Sequence, residues 1–98
     1  MNSKILDENT SYLFEAILSL KTPLECAAFF EDVCTIAEIK AIAQRMVVAK
    51  MLSEKMVYSD IAAKTGASTA TISRVNRSLM YGADGYMTVL ERIEKIEL

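Results

Sequence analysis

Apolar positions recur along this chain at spacings of three and four almost from end to end, the period of a helix with one covered face. Leu13, Phe14, Ile17, Leu18 and Leu20 form a first stripe, predicting a helix from about Asp7 to Leu20. Thr22-Pro23-Leu24-Glu25 is a helix start. Thr22 can cap, Pro23 suits the first helical position, and Glu25 completes a capping box. The helix behind it runs to about Val33 and carries Cys26, Phe29, Phe30 and Val33. Thr35-Ile-Ala-Glu38 repeats the device, opening a long helix to about Lys55. Its Ile39, Ile42, Ala43, Met46, Val47, Ala49, Met51 and Leu52 span more than one face, as a central helix requires.

From about Ser59 to Met80 the pattern is that of a helix-turn-helix. A short helix carries Ile61 and Ala62, and Lys64 ends it, where a cation suits the helix terminus. Gly66 supplies a position that can take positive φ. Ser68 or Thr69 can cap the second helix, which places Ile72, Val75 and Leu79 on one face. Its other face carries Thr69, Ala70, Ser73, Arg74 and Arg77, groups suited to base edges and phosphates in a major groove. The turn Tyr81-Gly82-Ala83-Asp84-Gly85-Tyr86 follows, with Asp84 as a candidate cap for a last helix bearing Met87, Leu90, Ile93 and Ile96. The two tyrosines are expected in core or dimer packing. The expected architecture is all-α, six helices in one domain spanning residues 1–98.

Composition sharpens this. At 98 residues and 52% hydrophobic, the chain is too apolar to cover itself as a small monomer, which points to a homodimer. The net charge of −2 conceals a gradient. Residues 1–35 carry two cations and six acids, residues 36–81 seven cations and three acids, and residues 82–98 two cations and four acids. A basic middle of this kind is an electrostatic footprint for nucleic acid. No apolar run is long enough for a membrane span, and the N-terminal stretch lacks the pattern of a secretory signal. A cytoplasmic location follows as an expectation. Histidine is absent, which removes the commonest general base, and no Ser or Cys has an activating neighbour in sequence, so an enzyme is not expected. Cys26 and Cys34 cannot build a zinc site with so few partners. They read as free, partly buried thiols. No metal or cofactor is implied.

Thr35-Ile-Ala-Glu38, Arg45, Asp60-Ile-Ala-Ala-Lys-Thr-Gly66, Ala70-Thr-Ile-Ser-Arg-Val-Asn-Arg77 and Tyr81-Gly-Ala-Asp-Gly-Tyr86 together resemble the tryptophan repressor superfamily. Nearly the whole chain is similar to its TrpR-like branch, also called YerC/YecD. The resemblance implies an intertwined homodimer that binds double-stranded DNA through the helix-turn-helix and acts as a sequence-specific regulator, a repressor by analogy. It also implies that Arg45, Thr71 and Arg74 stand where the repressor holds its corepressor. Directly after its second arginine the repressor has Gly; this chain has Val75, whose side chain would fill the indole space. Tryptophan is therefore not the expected effector, and whether another small molecule serves stays open.

The DNA-facing candidates are Ser59, Lys64, Ser68, Thr69, Ala70, Ser73, Arg74 and Arg77. Two roles stay open for Arg74, a DNA contact or a pair with an acid such as Asp60 or Glu38 inside the dimer, and two for Ser59, a helix cap or a phosphate contact. The rival functions are a helical protein–protein module and a repressor answering to a different small ligand.

Overall fold

The computed structural model describes residues 4–97, with side chains through Glu94. It consists, among the described residues, of six α-helices: α1 (Glu8–Leu18), α2 (Pro23–Val33), α3 (Ile36–Ser53), α4 (Tyr58–Thr65), α5 (Thr69–Tyr81) and α6 (Gly85–Glu97). The chain divides into two compact units, residues 1–39 and 40–98. No helix of the described residues is long and apolar enough to cross a membrane.

The first unit is organised by its helix caps. Asp7 caps α1 by accepting from the Thr10 N–H at 2.8 Å, and the Asp7 N–H donates to Thr10 Oγ1 at 2.9 Å. Thr22 caps α2, taking the Glu25 N–H at 3.1 Å, with Pro23 in the first turn. The expected reciprocal bond is displaced by one residue: the Glu25 carboxylate accepts from the Lys21 N–H, at 2.8 Å, and not from Thr22. Thr35 and Glu38 close a complete box, with Glu38 accepting the Thr35 N–H at 2.8 Å and Thr35 Oγ1 accepting the Glu38 N–H at 3.1 Å. These bonds hold the Glu38 carboxyl below the usual carboxylate range, the Thr35 N–H being the larger cause. The Asp7 carboxyl is lowered in the same way by the Thr10 N–H and hydroxyl.

No side chain of α1 or α2 is fully buried. Phe14, Ile17 and Leu20 are half-buried, as are Phe29 and Phe30, whose rings meet edge to face at 5.3 Å. Leu18 and Leu24 are more than four-fifths exposed. Both cysteines are free. Cys26, expected to be partly covered, lies exposed on α2, whereas Cys34 is half-buried.

The second unit has a core: Val48 and Ala49 of α3, Ile61 of α4, Ala67 of the following turn, Ile72 and Val75 of α5 and Leu90 of α6. Met46, Met51, Met56, Met87, Leu52, Ala62, Leu79 and Tyr86 pack around it. On α3 the covered face centres on Val48, which the hydrophobic pattern did not single out, while Ile42 and Val47 remain about half exposed. Met87 and Leu90 take the covered positions on α6; Ile93 is 41% exposed, and the Ile96 side chain lies outside the described residues. α3 stops two residues short of Lys55, which adopts positive φ and turns the chain toward α4. Ser59 does not cap α4. Val57 occupies the cap position, with no side-chain bond, and Ser59 is the second helical residue. Tyr81 is not packed inside but 79% exposed.

Candidate nucleic-acid interface

The turn between α4 and α5 is tied down from several sides. Gly66 sits at φ 74°, the left-handed region that a side chain disfavours, and its N–H closes α4 on the Ala62 carbonyl at 2.9 Å. Thr65 is the hub. Its hydroxyl donates back to the Ile61 carbonyl at 2.8 Å and accepts from the Ala67 N–H at 3.1 Å. Gln44 Nε2, on α3, donates to the Thr65 carbonyl at 3.2 Å and thereby satisfies an end-of-helix acceptor. Ala67 is buried in the core immediately before α5 begins. Neither Thr65 nor Gln44 stood out in the sequence, because the bond that joins them crosses 21 residues.

Of the two candidate caps, Ser68 caps α5. Its Oγ accepts the Thr71 N–H at 3.1 Å and its hydroxyl donates to Thr71 Oγ1, also at 3.1 Å. Ser68 and Thr71 are therefore committed to each other. Thr69 and Ala70 stand exposed in the first turn. Beyond them Ser73 is half-buried, and Arg74 and Arg77 are exposed. At about 100° per residue, Thr69, Ala70, Ser73, Arg74 and Arg77 share an arc of about 140°, with Ile72, Val75 and Leu79 opposite. Thr69 to Arg77 spans about 12 Å of helix axis, comparable to the width of a major groove. Among the described residues no ion pair within the chain engages Arg74 or Arg77. The guanidinium groups face solvent.

The other candidates are more scattered. Ser59 and Lys64 are both exposed on α4 but lie about 140° apart around its axis. Arg45 is half-buried on α3. Val75 is 1% exposed, its isopropyl group built into the core beside Ile72. Three concavities among the described residues of this unit are lined by residues other than Arg45, Thr71 and Arg74. One of about 120 Å³, between α3 and α6, is lined by Met46, Val47, Lys50, Leu90, Ile93 and Glu94. A second, of about 360 Å³, lies between α3 and α4 and is lined by Lys40, Ala43, Gln44, Val47, Lys64 and Thr65. A third, of about 430 Å³, runs along Ser78, Gly82, Gly85, Tyr86 and Val89.

The turn after α5 departs from expectation in one detail. Its left-handed non-glycine residue is Asp84, at φ 65°, whose carbonyl accepts from the Thr88 N–H and hydroxyl at 3.0 and 2.9 Å. Gly82 is needed for closeness: a Cβ there would stand 2.4 Å from the Ser78 carbonyl oxygen.

Comparison with known proteins matches this arrangement along its length. The sequence profile of the family described as Trp repressor protein matches residues 8–94. The uncharacterised protein YerC of Bacillus subtilis (strain 168) is 51% identical over 94 residues, covering 96% of this chain and 90% of that one. The crystal structure of a TrpR-like protein from Eubacterium eligens ATCC 27750 superposes with a TM-score of 0.90 at 61% identity, over 95% of this chain and 96% of that one. A Staphylococcus aureus structure described as a candidate Trp repressor gives a TM-score of 0.89 at 46% identity, over 93% and 91% of the two chains.

Proposed function

The chain belongs to the Trp repressor family, whose members are DNA-binding regulators and not enzymes, and on that premise we propose a sequence-specific transcriptional regulator that binds duplex DNA as a homodimer and does not use tryptophan as its effector. One observation carries the reading. α5 buries Ile72 and Val75 completely and turns Thr69, Ala70, Arg74 and Arg77 out into solvent, with both arginines free of internal ion pairs among the described residues. A helix held by its back and cationic on its front is what direct readout requires. Thr69, Ala70 and Ser73 are assigned to the base edges, Arg74 and Arg77 to phosphate. Ser68 contributes through the helix N-terminus that it caps, with Ser59 and Lys64 at flanking phosphates.

Residues 1–98 act in this reading as a single domain within an intertwined dimer. The uncovered Tyr12, Leu18 and Leu24 of the first unit, and Ile42, Val47, Val89 and Ile93 of the second, supply the apolar surface for that association. A two-fold dimer presents two copies of α5, and its operator is a pseudo-palindrome with half-sites about 34–36 Å apart or a multiple of that distance.

The negative part rests on Val75. Its side chain is part of the core, so the space that a glycine would leave after Arg74 is filled. Arg45, Thr71 and Arg74 then have no indole between them. Selection of bound sequences from random duplex DNA, followed by footprinting, tests the DNA reading, and a two-fold symmetric protected site is expected. Titration with millimolar L-tryptophan tests the rest: no saturable heat and no gain in DNA affinity are expected. One tryptophan bound per chain with tighter DNA binding would overturn it. Val75→Gly costs about 3 kcal/mol, combining a lost buried side chain with a glycine inside a helix, so the substitution need not yield a working pocket.

A further inference from the structure

The open groove between α3 and α4 joins Lys64, assigned above to a flanking phosphate, to Lys40 and other residues that the proposed function does not use. Lys40 and Lys64 line it together with Ala43, Gln44, Val47 and Thr65, and no acid does. Both lysines are exposed, and neither is engaged in an ion pair among the described residues. The groove is also anchored. The 3.2 Å bond from Gln44 Nε2 to the Thr65 carbonyl ties its α3 wall to the end of α4. From Thr65 the chain reaches Ser68, the cap of α5, in three residues, at most about 11 Å of backbone. The groove therefore opens near the N-terminal end of the helix assigned to the bases.

We propose that this groove is a second seat for the DNA backbone, in which Lys40 and Lys64 hold phosphates flanking the bases read by α5, with Ala43 against the sugars. The inference rests on the DNA-binding reading and adds α3, through Lys40, to the contact surface. The chemistry favours a phosphate carried on a duplex over a free anion. The cavity is wide and presents two mobile ammonium groups with no guanidinium fork, a weak trap for a small ion. A polyanion already held by α5 meets the same lysines at high effective concentration, and each cation that neutralises a phosphate releases counterions.

The test is the salt dependence of DNA binding for the wild type and the Lys40→Ala, Lys64→Ala, Lys40→Ala/Lys64→Ala, Lys40→Arg and Arg77→Ala variants. Each is measured on the selected duplex and on a duplex of random sequence. Each lysine removed should lower the slope of log K against log salt by about one per chain, on both duplexes alike, and Lys40→Arg should keep the wild-type slope. Circular dichroism should be unchanged, since both side chains are exposed. A wild-type slope in Lys40→Ala beside a flatter one in Arg77→Ala would overturn the groove while leaving DNA binding intact. A wild-type protein that binds neither duplex at low salt would overturn both readings. Saturable binding of inorganic phosphate at Lys40 and Lys64, with unchanged DNA slopes, would reassign the groove to a free anion.

Discussion

Residues 1–39 and residues 40–98 are equally apolar, with 21 of 39 and 30 of 59 positions hydrophobic, yet every fully buried side chain among the described residues lies in the second stretch. In residues 40–98 four elements close on one another around Val48, Ile61, Ile72, Val75 and Leu90. Residues 1–39 hold well-capped helices with half-covered faces. The difference separates two kinds of stability. Caps fix where a helix begins and are worth about 1 kcal/mol each; burial of a core side chain is worth about 1.5–3 kcal/mol and fixes which helices belong together. α4 shows the second kind acting without a side-chain cap at its start. It is only eight residues long and has no side-chain cap, and it is held by Ile61 in the core.

The sharpest way to test this contrast is a cavity in the second unit. Ile72→Ala should lower stability by about 2–5 kcal/mol, read as a fall in the urea midpoint, with loss of amide protection spreading across α3 to α6. In the first unit the expected response is in assembly. Leu18→Asp with Leu24→Asp should reduce the mass seen by light scattering at micromolar concentration from dimer to monomer. An unchanged mass would mean that these leucines are ordinary surface and that the two stretches differ less than argued. A smaller effect is expected at the turn after α5. Gly82→Ala drives a Cβ against the Ser78 carbonyl and should cost about 1–3 kcal/mol, mainly as fraying of the last turn of α5.

The smallest effect is electrostatic and confined to the first unit. Asp7 and Glu38 have carboxyls held below their ordinary values, so their contribution to stability is fully present above the ordinary carboxylate range. It is lost as the pH falls through the lowered values. Amide resonances of Thr10 and Thr35 should therefore titrate below the usual Asp and Glu range. Glu38→Gln should abolish the Thr35 titration, while the α5 resonances stay fixed.

What could be read from the residues alone follows the same division. Thr22-Pro23, Thr35/Glu38 and Gly66 announce their roles because a cap or a left-handed turn is a matter of four adjacent residues. The opposed faces of α5 were legible because thirteen residues show the helical period clearly. The central helix was harder. With apolar groups almost all round it, periodicity could not say that Val48 points inward and Val47 only partly so. The tie from Gln44 to Thr65 and the pairing of Lys40 with Lys64 across one groove depend on how α3 and α4 meet. Ser59 was a plausible cap by type, but the cap position falls two residues earlier, at Val57, and α4 starts at Tyr58. Arg45, Thr71 and Arg74 came from family resemblance, and of these Thr71 turns out to be half occupied by the cap of its own helix.

Four of the side chains packed around the core are methionines, Met46, Met51, Met56 and Met87. Thioethers adapt their shape to fill irregular gaps, which suits a sleeve around a helix that must be held still. The same atoms make that sleeve vulnerable to oxidants. Conversion to the sulfoxide places a polar, chiral group where an apolar one was packed, and it is reversed only by dedicated reductases. Met80, 63% exposed on α5, meets peroxide first; oxidation of the packed methionines behind α5 would in turn loosen the mounting of the helix while leaving every residue assigned to DNA chemically intact.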